Sequence, residues 1–249
     1  MKGKRAIVTG GGSGIGAAIA TSLLAEGVRV TLMGRSLERL EKQQALLMGE
    51  VAIQVCDVAD EASVKAAFAA AGGVDILVNN AGQVETAPLA RTSLETWQRL
   101  LQVNLTGTFL CCREALPGML EQGFGRIINV ASTAALRGYA YVAAYSAAKH
   151  GVLGLTRSLA LELAKKGDLT VNAVCPGYTE TEIVENAIAT IQAKTGRSAA
   201  EARAELAASN PQGRLIQPEE VAAAVLWLAR RESGSITGQA IAVSGGETM

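Results

Sequence analysis

A chain of 249 residues with 49% hydrophobic side chains is long enough to bury a large α/β core without disulfide or metal staples. Its 23 basic and 23 acidic residues cancel with no basic block, which argues against nucleic-acid binding. No apolar run reaches the ~18 residues of a membrane span, and Met1-Lys2-Gly3-Lys4-Arg5 lacks a signal-peptide core, so a cytoplasmic protein without a membrane partner is expected. The cysteines (Cys56, Cys111, Cys112, Cys175) share no metal-ligand spacing and His150 is the single histidine, so neither a metal site nor a histidine-based triad is expected. Cys111 and Cys112 read as small core hydrophobes.

Short β-branched runs alternate with helix-like segments along the chain. The first strand, Ala6-Ile7-Val8, runs into Thr9-Gly10-Gly11-Gly12-Ser13-Gly14-Ile15-Gly16 and a helix over 14–26. Glycines at such a turn let backbone N–H groups approach a pyrophosphate at the helix amino end. A flexible loop would carry glycine too, but the position between the first strand and first helix of a βαβ unit favours a nucleotide site. The second strand, Arg29 to Met33, is followed by Gly34, Arg35 and Ser36, with no carboxylate to accept bonds from a ribose 2′-OH. Arg35 suits a 2′-phosphate instead, so NADP is expected over NAD, and Glu38 one helical turn further on blurs the choice.

A helix over 36–47, a strand from Val51 to Val55, a helix over 60–71 and a strand from Asp75 to Val78 follow. Runs as apolar as Ile76-Leu77-Val78 suit strands buried on both faces of a parallel sheet. The remainder reads as a long helical segment over 93–121, strand Arg126 to Val130, helix 145–165, strand Thr170 to Val174, helix 218–230 and strand Ala240 to Val243. Strand and helix repeated this way predict one α/β domain over 1–249, a Rossmann-like doubly wound parallel sheet of about seven strands with helices on both faces. Residues 180–214 break the rhythm with helix formers and no strand, between Pro176-Gly177 and Pro211-Gln212-Gly213. An insertion beyond a strand's carboxyl end is where a substrate lid would sit; a surface helical pair is the alternative.

Three further segments join the glycine turn. Asn79-Asn80-Ala81-Gly82 follows the fourth strand, Ser132 follows the fifth, and Tyr145-Ser146-Ala147-Ala148-Lys149 opens a helix 13 residues later. Together with the spacing Gly10-x-x-x-Gly14-x-Gly16, these motifs resemble the short-chain dehydrogenase/reductase family over essentially the whole chain. The resemblance implies cofactor contacts from Thr9, Gly10, Gly12, Ser13, Gly14, Ile15, Gly16, Arg35, Asp57, Val58, Asn80, Ala81 and Gly82, with Asp57 at the adenine. It implies Asn104 as the family's catalytic asparagine, holding a water in a proton relay to Lys149. It also places Pro176, Gly177, Thr179 and Thr181 along the nicotinamide, where Val or Ile is commoner than Thr179.

The residues themselves support an acid–base reading. Tyr145 and Lys149, four apart, project from one face of a helix. A tyrosine with a pKa of ~10 is a poor proton relay at neutral pH, and a nearby ammonium favours the phenolate. Lowering that pKa by ~3 units takes about 4 kcal/mol. Tyr145 then serves as general acid in carbonyl reduction and general base in alcohol oxidation, and Ser132 donates a hydrogen bond to the substrate oxygen. Lys149, by resemblance, also binds the nicotinamide ribose. His150 points about 100° away from Lys149 and reads as packing or polar surface. Tyr139, Tyr141 and Tyr178 read as pocket wall or packing.

The expected reaction interconverts a ketone and a secondary alcohol with NAD(P). The lid resembles those of 3-hydroxybutyrate dehydrogenases and polyketide ketoreductases, which points to a 3-oxoacyl or 3-hydroxyacyl thioester on coenzyme A or acyl-carrier protein. A free 3-hydroxy acid or another secondary alcohol is the alternative, with Lys194, Arg197, Arg203 and Arg137 as candidate cations. A non-catalytic NADP-binding sensor or scaffold is the alternative from another class. Ala147, Ala148, Gly151 and Gly154 permit close helix approach, and the resemblance implies a homotetramer through that helix and the 93–121 segment.

Overall fold

The computed structural model describes all 249 residues. Its strands are β1 Arg5–Thr9, β2 Arg29–Gly34, β3 Val51–Val55, β4 Ile76–Asn79, β5 Phe124–Val130, β6 Asp168–Pro176 and β7 Ala240–Val243. They form one parallel sheet in the order β3-β2-β1-β4-β5-β6-β7. Val8 stands opposite Leu32 on one side and Val78 on the other. Strand order reverses between β1 and β4, and a crevice opens there beyond the carboxyl ends.

The helices are α1 Gly14–Ala25, α2 Leu37–Leu46, α3 Glu61–Ala71, α4 Leu94–Leu101, α5 Gly107–Gln122, α6 Ala143–Leu163, α7 Glu182–Thr195, α8 Ala199–Ala207 and α9 Pro218–Ala229. Side chains alternate across each strand, so both faces need apolar cover. Ala6, Val8, Ile76, Val78, Ile128 and Val130 join the layer formed by α1 and α9, with Leu23 and Val225 fully buried. Ile7, Leu77 and Ile127 join the opposite layer with Phe68 of α3, Leu110 of α5 and Leu159 of α6. Each large apolar side chain fully buried this way contributes roughly 1.5–3 kcal/mol.

Four boundaries differ from the sequence expectation. The 93–121 segment is not one uniform helix, because a π-helical turn, Gln102–Thr106, separates α4 from α5. There the Thr108 hydroxyl donates to the Asn104 carbonyl at 3.1 Å, a local bond that no hydrophobic period announces. Asn79 ends β4 rather than following it, standing opposite Asn129 in the ladder, with its side-chain NH2 group bonded inside the protein and its Oδ1 buried without a partner. It donates to Asn129 Oδ1 at 2.9 Å and Cys112 Sγ at 3.3 Å. Likewise Pro176 closes β6, and α6 begins at Ala143, two residues before Tyr145. The insertion after β6 folds into α7 and α8, which share a small core of Val184, Ile188, Ala202, Ala207 and Leu215.

One buried charge ties the far end of the sheet together. Arg126 has no exposed surface, and its guanidinium donates to Asp168 Oδ1 and to the Asp168 carbonyl, both at 2.7 Å. It also lies 4.6 Å from the Phe124 ring centroid. Removing one member of a buried pair strands the other. Because the Asp168 carboxylate left behind is partly exposed and already 3.3 Å from Arg231, Arg126→Met is expected to cost roughly 1–3 kcal/mol in urea unfolding. An unchanged midpoint would show that the pair adds nothing.

Candidate active site

The glycine turn is built by close backbone approach. A Cβ on Gly16 would stand 2.3 Å from the Gly10 carbonyl oxygen, and one on Gly10 would stand 2.9 Å from Asn80 Nδ2. Gly10 and Gly14 also hold φ of +65° and +52°, which side-chain-bearing residues resist. The Asn80 amide donates to the Thr9 and Gly10 carbonyls at 3.1 and 3.2 Å. In return, Thr9 Oγ1 accepts from the Asn80 and Ala81 N–H groups at 3.0 and 3.1 Å. The side chains of Thr9 and Asn80 are therefore spent on bracing the turn. Ser13 makes no capping bond at the start of α1, which leaves the first-turn N–H groups without a side-chain partner. A cradle that one Cβ would fill, facing the positive end of a helix, fits the pyrophosphate of a dinucleotide.

The rim of the crevice is more varied. Arg35 is exposed just past β2. Arg39, which the sequence reading passed over, pairs with Glu182 of α7 at 2.8 Å. It also covers Gly12, where a Cβ would meet Arg39 Cβ at 3.4 Å. Asp57 Oδ1 accepts from the Ala59 N–H at 3.0 Å and so shapes the turn after β3. Val58 is buried against Gly107 of α5, so its side chain serves packing. On the other side, Thr181 Cγ2 would lie 3.2 Å from a Cβ on Gly14, which brings the segment after β6 over the glycine turn. Within that segment the Thr179 hydroxyl donates to the Gly177 carbonyl at 3.0 Å, and the Thr181 hydroxyl to the Thr179 carbonyl at 3.1 Å. Ile15, at the start of α1, packs on the core beneath.

Asn104, Lys149 and the turn after β4 converge on Gly82. A Cβ there would stand 2.8 Å from Asn104 Oδ1 and 3.7 Å from Lys149 Nζ. The Asn104 side chain is wholly committed to backbone: it accepts from Gln83 N–H at 3.1 Å and donates to the Gln83 and Leu100 carbonyls at 2.8 and 2.9 Å. Lys149 is 4% exposed and donates to the Val130 carbonyl at 2.9 Å. Its Nζ lies 5.7 Å from the Tyr145 ring centroid. Ser132, at the end of β5, accepts from the Ala134 N–H at 3.1 Å through its hydroxyl.

The electrostatics depart from the sequence expectation. Burial pushes the Tyr145 hydroxyl above its ordinary value, and only the neighbouring Ser132 hydroxyl opposes this. Burial brings Lys149 down to about 8. In the protein alone, desolvation outweighs any help the ammonium gives the phenolate.

The remaining candidates are otherwise engaged, although Cys175 lies close enough to Tyr145 and Lys149 to act on both electrostatically. His150 is exposed, with Nδ1 2.9 Å from the Ser146 carbonyl. All four cysteines are buried and free, and burial raises the Cys112 thiol to about 12. No group of His, Cys, Asp and Glu is arranged to hold a metal ion, and no helix is long and apolar enough to cross a membrane. Of the candidate cations, Arg203 pairs with Glu180 and Glu185, and Arg197 pairs with Glu205. Arg137 donates to the Glu247 carbonyl at 3.3 Å.

Comparison with known proteins identifies the class. The family model for short chain dehydrogenases matches residues 4–192. A putative ketoacyl reductase of the granaticin polyketide synthase from Streptomyces violaceoruber is 44% identical over 97% of this chain and 92% of its own. The D-beta-hydroxybutyrate dehydrogenase of Cupriavidus necator is 36% identical over 99% of this chain and 98% of its own. A variant of actinorhodin polyketide ketoreductase solved with NADPH superposes with a TM-score of 0.95 at 40% identity, covering 98% of this chain and 97% of that one. The chain belongs to the short-chain dehydrogenase family. It is an oxidoreductase acting on a ketone and alcohol pair.

The burial of Lys149 has a measurable consequence. The unfolded chain holds this proton up to the ordinary value of 10.5, the folded chain only to about 8. Folding stability therefore rises as pH climbs between those values. Wild type is expected to gain on the order of 3 kcal/mol relative to Lys149→Met between pH 8 and pH 10.5. Parallel urea midpoints for the two proteins across that window would contradict the buried-ammonium description.

Proposed function

We propose that the chain is an NADP-dependent reductase of 3-oxoacyl thioesters, running in reverse as a 3-hydroxyacyl dehydrogenase. The observation that carries the reading is the buried Lys149 ammonium beside Tyr145, converging with Asn104 on Gly82. Burying an ammonium against a single backbone carbonyl is costly for stability alone, and a catalytic site accounts for that cost.

The nicotinamide supplies the hydride when bound. Tyr145 gives its phenolic proton to the carbonyl oxygen during reduction and recovers it from the alcohol during oxidation. The Ser132 hydroxyl donates to the same oxygen as negative charge develops there. Lys149 holds the cofactor ribose and favours the phenolate once the site is assembled. Asn104, its side chain engaged with the backbone of residues 83 and 100, is a positioning residue that holds the loop after β4 against Lys149. Gly10, Gly12, Ser13, Gly14, Ile15 and Gly16 receive the pyrophosphate; Asp57, Val58, Asn80, Ala81 and Gly82 shape the adenine and ribose side; Pro176, Gly177, Thr179 and Thr181 border the nicotinamide. Exposed Arg35 takes the 2′-phosphate.

Residues 180–214 act as the lid and set the substrate. Arg197 and Arg203 already serve ion pairs within this insertion, which leaves them poorly placed to receive a free carboxylate and favours a thioester. The names of the granaticin and actinorhodin relatives support the same β-keto chemistry. Assembly as a homotetramer through α5 and α6 suits exposed Phe109 and Leu161 and the open space above Gly154. A reducing cytoplasm suits four free cysteines.

Two experiments test the reading. Tyr145→Phe is expected to lower kcat on acetoacetyl-CoA by roughly 10²–10⁴-fold while the cofactor dissociation constant stays within a factor of about two. Near-normal turnover would overturn the mechanism. In a panel of acetoacetyl-CoA, acetoacetate and a neutral aryl ketone, kcat/KM is expected to be highest for the thioester and with NADPH, and Arg35→Ser is expected to erase the preference for NADPH over NADH. No turnover of any ketone would favour a sensor.

A further inference from the structure

Among groups outside the acid–base centre, one is unusual for where it lies. Glu247, two residues before the last residue, is 8% exposed, and it forms no ion pair. Its Oε1 accepts a hydrogen bond from the Tyr139 hydroxyl at 2.6 Å, and that hydroxyl is 2.8 Å from Thr133 Oγ1. Arg137, the nearby cation, stacks on Tyr139 at 4.8 Å and donates to the Glu247 backbone carbonyl, not to its carboxylate. Burial, followed by the bond to Glu247, pushes Tyr139 up to about 12, so it remains a donor. The second oxygen, Oε2, is buried without a hydrogen-bond partner and stands 2.9 Å from the place a Cβ on Gly177 would take.

An unpaired buried carboxylate oxygen costs free energy that a positive charge nearby would offset. The elements around it say which charge that is. Thr133 follows Ser132 directly, and Gly177 opens the segment whose other end, Thr181, touches the glycine turn at Gly14. A dinucleotide with its pyrophosphate at that turn and its reactive ring near Ser132 and Tyr145 runs along this segment. A Cβ at 177 would crowd the carboxylate where it lies against that backbone. The ring is neutral when reduced and cationic when oxidised, whereas the rest of the cofactor keeps its charge.

We propose that Glu247, positioned by Tyr139, is an electrostatic element of the cofactor site that favours the oxidised, cationic nicotinamide over the reduced one. The inference rests on the reading of the chain as a nicotinamide-dependent ketoreductase. Its consequence for that reaction is directional: hydride leaves for the carbonyl carbon, the Tyr145 proton goes to the carbonyl oxygen, and the positive charge left on the ring is the charge Glu247 stabilises.

The test is equilibrium binding of NADP⁺ and NADPH, with NAD⁺ and NADH in parallel, to wild type, Glu247→Gln and Glu247→Met. Glutamine keeps the shape and loses the charge; methionine fills the space without a polar atom should the amide disturb folding. Both variants are expected to weaken the oxidised form roughly tenfold more than the reduced form, about 1.4 kcal/mol. Glu121→Gln, an exposed carboxylate near the end of α5, should leave that ratio unchanged. Equal weakening of both forms would assign Glu247 a purely structural role and overturn the inference, as would an unchanged ratio accompanied by altered KM for the ketone. Absence of binding by either form to wild type would overturn the functional reading itself.

Discussion

The close approach of Gly10 and Gly16 is the constraint on which the site depends. At 2.3 Å from the Gly10 carbonyl there is no room for a Cβ on Gly16, so α1 starts hard against the end of β1. Two carbonyls of that turn would be poorly satisfied without Asn80, whose amide reaches across from the loop after β4. Thr9 returns the favour by accepting two N–H groups from that loop. The crevice at the strand reversal is thereby fixed from both sides, by hydrogen bonds that leave the positive end of α1 unspent.

Around this rigid turn the protein concentrates groups that are costly to bury. Lys149 loses nearly all its water for one carbonyl, Asn104 is fully enclosed, and Glu247 keeps an unpaired oxygen. The sheet affords such tension because its two apolar layers are continuous, with Leu77 and Val78 on opposite faces of one strand wholly buried. Stability is gathered in the body of the sheet, and strain gathers beyond its carboxyl edge. At that edge burial raises Tyr145, and the Ser132 hydroxyl opposes it.

Most of the architecture was legible along the chain because parallel strands must be apolar on both faces. Val51–Val55 and Ala240–Val243 stand where the pattern put them, and the spacing of Tyr145 and Lys149 placed both on one helix. The family assignment was legible too, since several short motifs had to occur in one order. Legibility failed where a side chain's partner is remote in sequence. The pairing of Asn79 with Asn129 across the sheet and the Arg39–Glu182 pair each depend on such partners. Glu247 escaped notice for the same reason: its Tyr139 partner lies 108 positions away.

The sequence by itself determined the element order, the two-faced core, the glycine turn and the family to which the chain belongs, because propensity, period and spacing are local properties. Tertiary structure alone decided how the site residues are shared out. Thr9 and Asn80 became braces, Asn104 gave its side chain to neighbouring backbone, and Lys149 was stripped of solvent. It also set a carboxylate with one unpaired oxygen against Gly177. Hydrogen-bond satisfaction and desolvation are settled by what packs against a group, and that is known only once distant segments meet.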